Sequence, residues 1–472
     1  MDGFHREVLA RLPLADAVLH LWSFVAQDAF LNRVFDEHRG RCYERVITFP
    51  VLVQLVASAL LEHEGSGRAS YEAARENGTL TASVWAAFQK LGNVPLRVSE
   101  ALLSQGSQRL LQVMPDHDRA GDVPGSLADF QIVIFDGKAI KRVMKRLKAL
   151  WGKAGGLLGG RALVAIHFRK GLVLAMATHE DGDANDARFV PELLAQVRRD
   201  VPGVRLYVGD RQYCDPMQAE RLVGQGDHFV VRYHSKNRFD ADPAAAARAG
   251  TDAQGRRYTE SWGWLGSPAN PRRRYVRRIT LERPGEDDLI LITDLLDADA
   301  YPAADLLWVY LQRWTIERVF QQVTEVFHLR KLIGSSPKAT VFQFGFCLLL
   351  YNMIQVIRSY VAQGQAMSVE DVSTEKLFED VTDELVAYSK INGGSSTGDG
   401  VPHRQTVRRL RAYLTRRLGR VWRPRWTKYT RKQPQTSARR QAKRRRTHGS
   451  VYRIMEDYRL AQHRKKARRS RC

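Results

Sequence analysis

Cysteine is scarce in this chain of 472 residues: Cys42, Cys214, Cys347 and Cys472 stand far apart, with no Cys-x-x-Cys pair and no clustered histidines. That scarcity argues against a disulfide framework and a structural zinc site, and it suits a reducing cytoplasm. No uncharged apolar run of about 18 residues occurs near the N-terminus, so neither a secretory signal nor a membrane anchor is expected. Acids are scarce too, but only locally. From Val401 to Cys472 there are 26 lysines and arginines and two acids, Glu456 and Asp457, whereas residues 1–400 hold 48 basic and 49 acidic side chains. The body is neutral and the tail is a polycation. Tyr413, Trp422, Trp426, Tyr429, Tyr452 and Tyr458 are interleaved with the tail's basic clusters, which points to nucleic acid as partner. The tail lacks the sustained apolar face of an interfacial helix, so a membrane surface is the weaker partner.

The length is about three common domains, enough for a sizeable core. Residues 1–125 read as a helical DNA-binding region, residues 126–365 as an α/β catalytic core, and 366–472 as a C-terminal region with the basic tail. Helical patterns at Tyr71 to Glu76 and Ser83 to Leu91 have a spacing that a helix-turn-helix could use, although an ordinary helical hairpin fits the pattern better. Phe130 to Phe135 reads as a buried strand delivering Asp136 at its end, and Val204 to Val208 as a second strand delivering Asp210. Ala162 to Phe168 and Leu172 to Thr178 read as a hairpin around Arg169-Lys170-Gly171. Residues 233–300, with Trp262 and Trp264 at strand spacing, read as an inserted antiparallel β subdomain. Pro302 to Phe327 reads as one long helix, and Val341 to Ile357 as a buried helix rather than a membrane span.

Asp136 and Asp210, each at a strand end, can converge on one crevice. The third acid expected there is Glu317, because Tyr310, Arg313 and Glu317 are spaced to share one helix face. Other acids compete. Glu180, Asp181, Asp183 and Asp186 are expected to decorate a loop and cap the helix after it, and Glu325 lies two turns beyond Glu317.

These residues resemble the DDE transposases of bacterial insertion sequences, in particular the IS-four-like branch with its Tyr-x2-Arg-x3-Glu-x6-Lys signature. The resemblance covers roughly residues 130 to 355, including Asp136-Gly137-Lys138, Gly209-Asp210-Arg211, Arg313-Trp314-x2-Glu317 and Tyr351-Asn352. It implies an RNase H-like core with a β insertion between the second Asp and the Glu. It also implies catalysis by Asp136, Asp210 and Glu317 holding two Mg²⁺ ions, with Mn²⁺ able to substitute, and DNA contacts from Tyr310 and Arg313. Lys138 and Arg211 are candidate phosphate contacts, and Trp262 or Trp264 a candidate stacking platform. Two departures stand out: Thr324 replaces the signature lysine, and Gln212 stands where Gly is common. Arg330 and Lys331 are the nearby cations, and helix phase favours Lys331 as the replacement.

Cleavage and strand transfer are in-line displacements at phosphorus, which three carboxylates with two hard cations suit. The expected function is therefore transposition: binding of terminal inverted repeats in double-stranded DNA, cleavage, and joining to target DNA. A homodimer is expected for synapsis of two ends, and a bacterial, nucleoid-associated cytoplasmic location. The alternative is a transposase-derived DNA-binding protein whose chemistry has lapsed.

Overall fold

The computed structural model describes residues 3–115, 123–141, 143–329, 331–391, 406–428 and 449–469. Seven helices come first: α1 (Gly3–Arg11), α2 (Pro13–Val25), α3 (Asp28–His38), α4 (Phe49–Leu61), α5 (Gly67–Glu76), α6 (Val84–Asn93) and α7 (Leu96–Val113). The link between α5 and α6, residues 77–83, is longer than the three- or four-residue turn of a DNA-binding helix pair. Tyr71 of α5 and Phe88 of α6 pack their rings 4.9 Å apart, as in an ordinary hairpin.

The sheet begins with β1 (Gln131–Lys141), β2 (Leu157–His167), β3 (Leu172–His179), β4 (Arg205–Gly209) and β5 (His228–Arg232), with α8 (Val190–Asp200) and α9 (Pro216–Leu222) between strands. β2 runs antiparallel to both β1 and β3, while β1, β4 and β5 are mutually parallel neighbours. The hairpin joining β2 to β3 turns where it was expected, with Gly171 at φ 62°. The uninterrupted apolar run of β1 follows from layers on both faces. Ile132 and Ile134 join the core under the N-terminal helices, whereas Val133 and Phe135 join the core under α8.

Residues 233–300 hold the expected antiparallel strands, joined to the main sheet. Strands β6 (Phe239–Ala241), β7 (Arg248–Thr251), β8 (Arg257–Leu265), β9 (Arg274–Leu281) and β10 (Leu289–Thr293) continue the same sheet. Antiparallel pairing of β10 with β5 makes the join, because β5 would otherwise leave its ladder groups open at the edge.

The expected single helix after Pro302 is two, α10 (Ala303–Leu311) and α11 (Trp314–Glu325). At the junction the bonding tightens to i→i−3: Arg313 N–H to Tyr310 O at 2.9 Å, Thr315 N–H to Gln312 O at 2.9 Å and Ile316 N–H to Arg313 O at 3.1 Å. Tyr310, Arg313 and Glu317 therefore do not share one continuous helix face.

Helix α12 (Pro337–Gly364) is long and apolar enough to span a membrane by composition, yet its apolar window is wholly buried in this fold. Its polar side chains serve the neighbouring backbone. Asn352 accepts from Val173 N–H at 2.8 Å and donates to Val173 O at 2.8 Å, blunting the edge of β3. Gln343 accepts from Ile333 N–H at 2.7 Å.

The C-terminal region is not a free tail in its described part. Helices α13 (Thr374–Ile391) and α14 (Val407–Leu418) pack on α2, and Trp426 is fully buried. Arg417 pairs with Asp16 at 2.6 Å, Arg423 with Glu384 at 2.7 Å, and the Trp426 indole donates to Asp380 at 2.6 Å. Glu384 also accepts from Leu14 and Ala15 N–H at the start of α2. Of the tail aromatics, Tyr429 lies outside the described residues. A short strand β11 (Gly449–Ser450) pairs with the start of β2, and α15 (Val451–Arg469) follows it.

Candidate active site

The last parallel pair between β1 and β4 is Ile134 with Val208, so Asp136 and Asp210 stand level, each two residues further on. Asp136 is not at a strand end: β1 runs on to Lys141, paired with β2, and only its β4 neighbour has stopped. The ending of β4 opens the crevice that β1 overlooks. Helix α11 lies across it, with Arg313 and Glu317 at its first turn.

Arg313 ties the acids together. Its Nη1 is 3.3 Å from Asp136 Oδ2 and 2.9 Å from Glu317 Oε1, and Asp210 also contributes to the field on the guanidinium. Burial pushes the Asp136 carboxyl up to about 6, the Gly137 N–H and Arg313 oppose the rise, and the charges of Asp210 and Glu317 add to it. Asp136 and Glu317 thus share one cation, and Asp136 feels the charge of Asp210 from the neighbouring strand. Tyr310 is buried beneath, its ring 5.9 Å from the Arg313 guanidinium, and burial pushes its hydroxyl up to about 12.

Among the described residues no group of three or more His, Cys, Asp or Glu side chains is gathered closely enough to hold a metal ion. Carboxylate oxygens are nevertheless the donors that a hard divalent cation takes, and Asp136, Asp210 and Glu317 are the residues that would hold one. Arg313 supplies part of the counter-charge that such a cation would supply.

Of the other expected contacts, Lys138 and Arg211 stay beside the aspartates, whereas Trp262, Trp264 and Lys331 lie on other segments. Lys138 lies with Nζ 5.3 Å from the Phe320 ring centre on α11, and burial lowers its pKa. Arg211 is exposed just after Asp210. Trp262 donates to Leu296 O at 2.9 Å and Trp264 packs edge-on to Tyr275, both out on β8. Lys331 pairs with Glu64 at 3.2 Å. Because α11 ends at Glu325 and His328 has φ 59°, no helix phase carries from Thr324 to Lys331, and the two do not share a helix face. Thr324 itself donates to Phe320 O at 2.6 Å. Arg330 lies outside the described residues. Glu325 accepts from Gln321 at 3.0 Å.

One acid has a different place from the one its loop suggested. Asp186 is 1% exposed, receives Arg161 through both arms with Nη2 at 2.6 Å, and accepts from Gln212 at 3.3 Å. The loop capping falls to Asn185 and Asp181 instead. Gln212, the departure after Asp210-Arg211, thereby ties the turn behind Asp210 to the layer behind Gly137. The available sequence signal was Gly137 itself: no other residue leaves room for Asp186 behind the strand.

Residues 128–353 match the family model of the transposase DDE domain. The match supports a DDE transposase, and all three carboxylates, Tyr310 and Arg313 fall inside the matched DDE segment. Among solved structures, the chain is similar to the piggyBac transposase of a synaptic complex with hairpin DNA, at 11% identity and a TM-score of 0.40, with 85% of each chain covered. No curated protein matches.

Proposed function

We propose that the chain is a DDE transposase of the IS-four-like branch, acting on the terminal inverted repeats of its own element and joining the freed ends to target DNA. The carrying observation is that Arg313 pairs with both Asp136 and Glu317 while Asp210 stands level with Asp136 on the neighbouring strand, all inside the segment that matches the DDE domain. The order β3-β2-β1-β4-β5, with only β2 reversed, supports an RNase H-like core. When bound by the three carboxylates, two Mg²⁺ or Mn²⁺ ions supply activation of the attacking oxygen and stabilisation of the leaving oxygen. The chain's own residues set the stage. β1 and β4 hold the two aspartates level, α11 brings Glu317 over them, and Arg313 holds Asp136 and Glu317 while Tyr310 backs it from below. Arg211, exposed beside Asp210, is placed to meet a phosphate. Synapsis of two ends calls for a homodimer, and the cytoplasmic nucleoid is the compartment where that DNA is found.

The second reading is a DNA-binding protein whose chemistry has lapsed. The ion pairs of Arg313 with both Asp136 and Glu317 favour it, since they balance the acids without a metal. Mg²⁺-dependent nicking of DNA carrying the repeats that flank the gene separates the two. Nicking establishes the transposase; tight DNA binding with no nicking in either metal establishes the lapsed protein.

A further inference from the structure

The stretch that follows Asp136 carries no acid at all. Residues 137–156 hold seven lysines and arginines and neither Asp nor Glu, and Arg142 among them lies outside the described residues. The loop between β1 and β2 is held in place rather than loose. Val143 and Leu150 are buried, Arg146 donates to Ile333 O at 2.8 Å, and Lys145 closes the loop onto Lys153 O.

What this fixed loop turns outward is unusual in combination. Lys141, Lys148 and Lys153 are exposed and pair with no acid among the described residues. Beside them Trp151 is 64% exposed and Met144 50% exposed. A solvated basic loop has no use for an exposed tryptophan, whereas a nucleic-acid surface uses both the charge and the ring. Helix α15, which carries exposed Arg459 and Arg464, packs against Lys148–Leu150.

We propose that this loop, backed by α15, is a contact surface for duplex DNA away from the bond being cut: the lysines meet phosphates, and Trp151 lies against the sugar and base edges. The proposal rests on the transposase reading for where the cut bond lies. From Asp136 to Lys141 the strand advances about 17 Å at roughly 3.3 Å per residue. At 3.4 Å per base pair that is about five base pairs, so the surface grips the flank of the site and leaves the reacting phosphate to the carboxylates.

The test is a salt titration of DNA binding with the full chain and a 30-base-pair duplex. Replacing Lys141, Lys148 and Lys153 together by Ala is expected to reduce the slope of log affinity against log salt by about 2 to 3, at about 0.9 per lost phosphate contact. The matching triple Lys→Arg variant is expected to keep the wild-type slope. Trp151→Phe is expected to remove part of the fluorescence change that DNA induces. If the wild type binds and the triple Ala variant keeps its slope, the surface is wrong while the transposase reading stands. If the wild type binds no DNA at all, the underlying reading falls with it.

Discussion

A methyl group on Gly137 would sit 2.0 Å from Asp186 Oδ2, closer than any real contact. The residue next to the first carboxylate is therefore glycine for a packing reason, because Asp186 and its partners Arg161 and Gln212 occupy the space behind the strand. Gly137→Ala is expected to cost about 1 to 3 kcal/mol, the usual range for overpacking, by forcing Asp186 off its double contact with Arg161. Urea denaturation checks the cost. A loss under about 0.5 kcal/mol would show that Asp186 relaxes freely.

Asp136 and Glu317 share the Arg313 guanidinium and Asp210 stands level with Asp136 on the next strand, so each acid is expected to be needed for chemistry and none for affinity. Single Ala variants should lose Mg²⁺-dependent nicking and keep DNA binding within a few-fold, and the triple variant should be little worse than any single. Gel assays of nicking and binding on the same samples check both halves. Nicking that persists in Glu317→Ala would reassign the third ligand.

The parts of this fold that could be read from the sequence are those fixed by neighbours along the chain. The apolar run before Asp136, the turn at Gly171 and the buried character of α12 depend on local pattern, and they stand as read. What could not be read depends on partners far away in sequence. Asp186 reads as loop decoration until Arg161, 25 residues earlier, is brought beside it across the sheet. The break before Trp314 leaves no Gly or Pro as signal, only a switch in bonding. The guanidiniums at Arg417 and Arg423 count toward a phosphate-seeking tail by composition, yet they meet Asp16 and Glu384. Charge counting locates an excess and not its partners.

The contacts of Arg417 and Arg423 with the body change what truncation should do. Removing residues 401–472 takes away Trp426 and α14, whose Leu410, Leu414 and Leu418 are fully buried, so the shortened chain is expected to unfold or aggregate. Ending at Lys428 instead should leave a folded protein with weaker DNA binding and a shallower salt slope. Circular dichroism and salt titration on the two truncations check this. Equal stability of both would mean that α14 contributes nothing to the core.

Glu100 gives the stability a pH signature. It is 6% exposed, burial pushes its carboxyl up to about 7, and its Oε1 accepts from the Thr178 N–H and hydroxyl. Between the ordinary glutamate value near 4.5 and about 7, the unfolded chain has released this proton and the folded chain retains it. Stability therefore falls as pH rises through that window and levels above it, by roughly 3 kcal/mol for this group. Glu100→Gln is expected to be more stable than the wild type at pH 8, with a smaller difference at pH 5. Glu62, also raised to about 7, leaves a residual slope in the variant. Melting temperatures at the two pH values check it, and equal shifts at both would remove Glu100 as the cause.

If the chain belongs to the proposed IS-four-like branch, Thr324 stands where that branch has a lysine and the charge must come from elsewhere, for which the geometry favours Lys138. It sits against Phe320 on α11, it feels the charges of Asp136 and Glu325, and it lies two residues from the first carboxylate. Lys331 is turned toward Glu64 on an exposed surface instead, beyond the end of α11. Lys138→Ala is accordingly expected to slow single-turnover cleavage of terminal-repeat DNA by about 10- to 100-fold, the scale of one charged contact at about 1.4 kcal/mol per decade. Lys331→Ala should stay within about twofold of the wild type. Adding Lys at position 324 in the Lys138→Ala background should recover part of the loss, because a lysine there leaves the same helix one turn from Phe320. A cleavage defect in Lys331→Ala larger than in Lys138→Ala would return the role to the residue that the sequence spacing first suggested.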